Sequence, residues 1–157
     1  MNTVIPSTER QRIISALIDL GLSRDRTHWV TLNTHRDLSD DEASKRLKRW
    51  RVEMMRRLHG QRFYRLPDDE LFAFIGSREF SQAGHPHFHL ACAVPIHLTA
   101  RFLCNAESRW LSILPGGTCH IADVNTESDS QRRILGYAFK NFDFRSDLSF
   151  VDSRLFR

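Results

Sequence analysis

The stretch HFHLACAV, residues 87–94, restricts this chain more than any other, because it reads as a strand with two different faces. Successive side chains on a strand point to opposite sides, so His87 and His89 share one face while Phe88, Leu90, Cys92 and Val94 make the other face apolar. The histidine face carries two imidazoles about 7 Å apart along the strand, continued by small Ala91 and Ala93. Just upstream, Gly84 and Pro86 close a loop between two apolar runs, LFAFIGS and FHLACAV, which is the pattern of a hairpin. Glu79 on the partner strand is therefore expected to face the histidines and to supply an oxygen.

Two imidazole nitrogens and one carboxylate, with positions left open, suit Mg²⁺ or Mn²⁺ acting as a Lewis acid on a phosphate, and equally a Zn²⁺ or Fe²⁺ site. Ligand type alone does not choose among them. A candidate nucleophile lies far downstream in ILGYAFKNFD, on a helix expected from Ser128 or Asp129 to about Phe139. There Arg133, Tyr137 and Lys140 fall together at spacings of four and three.

Arg78-Glu79, then Gly84, then Pro86-His87-Phe88-His89, and finally Tyr137-x-x-Lys140 follow one another in an order that resembles the HUH endonucleases, which start rolling-circle replication. The likeness is greatest to the single-tyrosine replication initiators of circular single-stranded DNA viruses and related plasmids, and it runs from Trp29 to Lys140. It implies an α+β fold, a central antiparallel sheet of about five strands flanked by helices. It also implies Mn²⁺ or Mg²⁺ held by Glu79, His87 and His89, attack by Tyr137 with Lys140 beside it, a 5′-phosphotyrosine and a free 3′-hydroxyl. The substrate it implies is single-stranded DNA, at an origin or in a hairpin loop. An equivalent early strand holds DNA in that family, which makes Thr31 and Asn33 candidate contacts.

The remaining segments fit one domain over residues 1–157. An amphipathic helix is expected at about 8–20, in front of the catalytic core, and a short tail from about 141. HWVTLNTH reads as the first strand. Ser39 and Glu42 form a capping box before a helix that ends at Gly60, with Ala43, Leu47, Trp50, Met54 and Leu58 on its apolar stripe. Its other faces carry Lys45, Arg46, Lys48, Arg49, Arg51, Arg56 and Arg57. With Arg78 and Arg133, the cations Lys45, Lys48 and Arg49 are the expected phosphate contacts, salt-sensitive and blind to base identity. A turn is expected at Pro67-Asp68-Asp69, a strand at about 71–79, a packing helix with Ala100, Leu103, Ala106, Trp110 and Leu114 on one stripe, and a strand in TCHIADV. Tyr64, the other tyrosine, is expected to pack or to stack on bases.

Net charge of +4 and a pI near 9.3 favour an anionic partner. No run approaches the length of a membrane span, no leader-like start is visible, and Cys92, Cys104 and Cys119 lack metal-knuckle spacing. A cytoplasmic setting is expected, bacterial or, for a viral protein, with passage to the host nucleus. Because GxxxxGK[ST] is absent from the sequence, unwinding is expected from a further C-terminal region or a host replication helicase working with a polymerase. The rival readings are a transposase or relaxase with the same chemistry, a non-catalytic nucleic-acid-binding module, and a small zinc hydrolase using His87, His89 and Cys92 or Glu79. Small Ala91 and Ala93 are expected to leave room beside the ligands for the tyrosine helix and a nucleotide.

Overall fold

The computed structural model describes residues 27–122 and 150–156. Its middle strand is β3, Pro86–Ala93, the HxH stretch itself. Phe88, Leu90 and Cys92 are all at most 1% exposed, and a strand with so apolar a face is stable only where neighbours on both edges and a layer above remove it from water. The neighbours are β1, Thr27–Asn33, and β2, Ala73–Phe80, both antiparallel to it. Strand β4, Thr118–Ala122, pairs outside β1, and β5, Phe150–Asp152, pairs outside β2, so the order is β4-β1-β3-β2-β5. The chain thus has the α+β architecture expected of it, a five-stranded antiparallel sheet with helices.

Two helices, α1 at Asp40–His59 and α2 at Thr99–Ile113, contribute to the core on one side of this sheet. Helix α1 starts where the sequence says it should. The Ser39 side chain accepts from the Glu42 N–H, the Glu42 carboxylate accepts from the Ser39 N–H, and Asp40, Asp41 and Glu42 place negative charge at the positive end of the helix dipole. It stops at Gly60, whose φ of 83° is open to glycine at no steric cost. Ala43, Leu47, Trp50, Met54, Met55 and Leu58 are its buried face.

Each large indole buried between layers has its N–H satisfied by a carbonyl of another element. Trp50 Nε1 donates to the Ala106 oxygen of α2 at 3.0 Å, and Trp110 Nε1 donates to the Asn33 oxygen at the end of β1 at 3.0 Å. Gly117 lies against this second bond, where a Cβ would come within 2.8 Å of both the Asn33 oxygen and Trp110 Nε1. The far end of β1 is tied to the start of β3 by Thr34, fully buried, whose hydroxyl donates to the Pro86 oxygen at 2.7 Å. His59 Nε2 accepts from the Phe72 N–H at 3.0 Å, a role open only to an unprotonated nitrogen, and burial lowers the pKa of His59 in that direction.

Three expectations change. Along α2, Ala106, Trp110 and the following Leu114 are buried as expected, but in the first turns Phe102 enters the core while Ala100 and Leu103 are exposed, because Phe102 presents the larger apolar area to the sheet. The turn after Pro67 is a short 3₁₀ helix, Asp68–Glu70. Part of the stretch expected as a tail supplies the edge strand β5, whose alternating pattern is too short to register in sequence, and Ser153 just after it accepts from the Phe74 N–H at 2.8 Å. The helix expected at 8–20 lies outside the described residues.

Strands β2 and β3 approach closely at Gly76. A Cβ there would fall on the carbonyl oxygen of His89 and lie 2.9 Å from Leu90 Cα, both backbone atoms of a central strand that cannot give way. Gly76→Ala is therefore expected to lower stability by about 1–3 kcal/mol or more, the range for forced overpacking, as read from urea denaturation.

Candidate metal centre

The hairpin between β2 and β3 sets the geometry. In its loop the Ser81 N–H donates to the His85 oxygen at 2.9 Å, the Gly84 N–H donates to the Ser81 oxygen at 2.8 Å, and Gly84 takes a φ of 79°. This closure puts Phe80 opposite Pro86, Glu79 opposite His87 and Ser77 opposite His89. On the other edge of β3, Asn33 stands opposite His87 and Thr31 opposite His89, and β4 continues those two rows with Thr118 and His120. The face turned away from the core therefore carries two polar rows, Glu79-His87-Asn33-Thr118 and Ser77-His89-Thr31-His120, beside an apolar row of Ile75, Ala91, Trp29 and Ala122.

Within the polar rows, Glu79, His87 and His89 converge. Glu79 Oε2 is 3.4 Å from Nε2 of both histidines, the two rings are 4.9 Å apart at 89°, and one donor atom from each residue lies within 4.8 Å of the others. Two polar atoms here, Glu79 Oε1 and His87 Nδ1, are buried with no hydrogen-bond partner among the described residues. Orphaned buried polar atoms cost free energy unless a ligand satisfies them, and the carboxylate oxygen is free to bind a cation. Desolvation, with a smaller contribution from nearby His87, lowers the pKa of His89 against the opposing pull of Glu79, so its ring is kept neutral, the form in which imidazole ligates a metal. One carboxylate and two imidazoles, each partly buried, fit a divalent cation.

The fold separates these three side chains from four of the other expected site residues, all on the helix side of the sheet. Lys45, Lys48 and Arg49 project from α1, on the opposite side of the sheet, and two of them have partners: Lys45 pairs with Asp41 at 2.6 Å, and the Lys48 ammonium lies 5.6 Å from the centre of the Phe156 ring. Arg49 is exposed. Arg78, one residue before Glu79 and so on the helix side, is buried, pairs with Asp40 at 3.2 Å and lies over the Phe80 ring. Its charge anchors β2 to the start of α1; strand alternation predicts the face it occupies once Glu79 is assigned to the other, but not its partner. Asn33 donates to the Thr118 hydroxyl at 3.2 Å, which also bonds His35 Nε2 at 2.9 Å, and these groups border the cluster in the next strands. Thr31 bonds His89 Nδ1 at 3.1 Å. Tyr137, Lys140 and Arg133 lie outside the described residues.

One of the rival ligand sets is corrected by the fold. Cys92 is fully buried on the core side, where desolvation pushes its thiol well above the ordinary value, and it cannot join the histidines as a zinc ligand. Ala91 and Ala93 are each 1% exposed, and the helix for which they are expected to leave room lies outside the described residues. Tyr64 is 68% exposed, with the Arg65 guanidinium over its ring, so of the two roles expected for it, packing in the core is ruled out and stacking is left open.

No protein-family model, curated protein or solved structure matches the chain. Among the described residues no helix is long and apolar enough to cross a membrane.

Adding Mn²⁺ is expected to raise the melting temperature of the protein, by the equivalent of about 2.7 kcal/mol at a hundredfold excess over Kd, and to leave Glu79→Ala and His87→Ala unmoved. The pH dependence has a definite sign. Because the folded pKa of His89 lies below 6.5, its contribution to the metal-free fold is complete above that value and is lost as pH falls through the lowered one. Acid melting curves should therefore be flatter for His89→Asn than for the wild type, and the Mn²⁺-induced shift should vanish over the same acid range.

Proposed function

We propose that the chain nicks and rejoins single-stranded DNA through a covalent tyrosine intermediate, the chemistry of the HUH endonucleases, and serves to initiate rolling-circle replication. The observation that carries this reading is the convergence of Glu79, His87 and His89 from two adjacent strands, in the residue order that resembles that family. Those three side chains would hold Mn²⁺ or Mg²⁺, which when bound supplies positive charge against the phosphate oxygens.

The remaining steps belong to the chain's own residues. The Tyr137 phenol oxygen attacks phosphorus, the bond from phosphorus to the 3′ oxygen breaks, and that oxygen leaves with the electron pair and takes up a proton as a free 3′-hydroxyl. A phenol has an ordinary pKa of about 10, so a neighbouring ammonium such as Lys140 favours the attacking phenolate. The phosphodiester is conserved on Tyr137, so a 3′-hydroxyl attacking it reverses the reaction and joins a strand. Thr118, His35 and Asn33, polar and adjacent to the cluster, give the strand a hydrogen-bonding surface on the same face. Double-stranded origins are opened, in this reading, by a host replication helicase or a further region of the protein.

Incubation of the protein with labelled single-stranded DNA and Mn²⁺ is expected to give a denaturation-resistant protein–DNA band. Tyr137→Phe should abolish the band and retain DNA binding, and Glu79→Ala should reduce it at least as strongly as loss of a transition-state charge stabiliser, about 100-fold or more. A band that survives in Tyr137→Phe places the nucleophile elsewhere; no band from the wild type on any single-stranded substrate leaves a non-catalytic binding module.

A further inference from the structure

We infer that Thr31 is a positioning residue for the candidate metal centre, its hydroxyl accepting the Nδ1–H of His89 so that the Nε2 lone pair is directed at the cation. The inference rests on reading Glu79, His87 and His89 as ligands, and it replaces the expectation that Thr31 touches DNA.

The two imidazoles are not equivalent. His89 has a partner for its outer nitrogen, Thr31 Oγ1 at 3.1 Å, while His87 Nδ1 is buried with no hydrogen-bond partner among the described residues. A histidine binds a metal through one nitrogen only when the other carries the proton, and the bond made by that other nitrogen selects the tautomer. Without Thr31, the opposite tautomer of His89 has a ready use: Nε2–H facing Glu79 Oε2, 3.4 Å away. That arrangement would occupy the ligand nitrogen and the ligand oxygen with each other and close the site. The Thr31 hydroxyl opposes it by stabilising the proton on Nδ1.

The placement of Thr31 is set by the sheet. It stands directly opposite His89 in the β1–β3 register, on the same face, with a β-branched side chain that has few rotamers on a strand. Its neighbours in β1, Val30 and Leu32, are at most 1% exposed in the core, so the strand cannot slip to carry the hydroxyl away. Only the hydroxyl distinguishes Thr31 from valine in shape, which gives the test its variant.

Mn²⁺ is titrated into the full chain without DNA, and free Mn²⁺ is followed by electron paramagnetic resonance, for the wild type, Thr31→Val and Thr31→Ser. Thr31→Val should weaken Mn²⁺ binding about 10- to 100-fold, the usual consequence of losing the partner of a metal-ligating histidine, while its metal-free circular dichroism and melting stay close to wild type. Thr31→Ser should restore most of the affinity, because it returns the acceptor without the methyl group. Wild-type Mn²⁺ affinity in Thr31→Val, or failure of Thr31→Ser to restore it, overturns the inference. Unchanged Mn²⁺ affinity with weakened DNA binding would make Thr31 a DNA contact instead. A wild type that takes up no Mn²⁺ removes the metal reading itself, an outcome distinct from the others.

Discussion

The register of β3 between β1 and β2 is the constraint on which everything else rests. Side chains alternate with a period of two, so a shift of one residue would carry Phe88 and Leu90 into the place of His87 and His89 and drive the imidazoles into the core. Burial of Phe88, Leu90 and Cys92 opposite Val30, Leu32 and Phe74 makes that slip costly, at about 1.5–3 kcal/mol for each large apolar side chain moved into water. The same alignment places Glu79 opposite His87 and Thr31 opposite His89. The ligand cluster is thus a by-product of core packing on the reverse side of the same strands.

The cluster is shaped by what the sheet does to solvation. Glu79, His87 and His89 are each partly buried, and desolvation is the largest influence on His89, stronger than the attraction of the carboxylate beside it. A neutral imidazole beside a carboxylate with one unpartnered oxygen is an arrangement of donors short of a cation. A charged imidazole there would instead make a plain ion pair and fill the site. The balance between these states is decided chiefly by burial, with Glu79 pulling toward the charged ring and His87 away from it.

The two sides of the sheet have divided the charged residues between structure and candidate chemistry. On the helix side, Arg78 joins β2 to Asp40 at the first turn of α1, Arg46 donates to the Ile113 oxygen at the end of α2, and Arg101 donates to the Leu58 oxygen near the end of α1. These guanidinium groups link helix ends whose carbonyls and dipoles would otherwise lack partners. The cluster of Glu79, His87 and His89 lies across the sheet from these guanidinium groups and from the basic face of α1.

Local pattern in the sequence was enough for the parts whose cause is local. The period-two alternation of HFHLACAV set the two faces of β3, the Ser39-Glu42 box and Gly60 set the ends of α1, and the Gly84-Pro86 loop set Glu79 against the histidines. Such features follow from backbone geometry within a few residues, and so they are legible one segment at a time. Tertiary structure alone decided the rest: that Thr31 meets His89, that Arg78 is sealed against Asp40, that Phe102 and not Leu103 enters the core, and that residues 150–152 close an edge of the sheet. Each of these depends on which distant segment becomes the neighbour, and that choice is made by the summed burial of the whole core, a quantity that no single stretch of the chain carries.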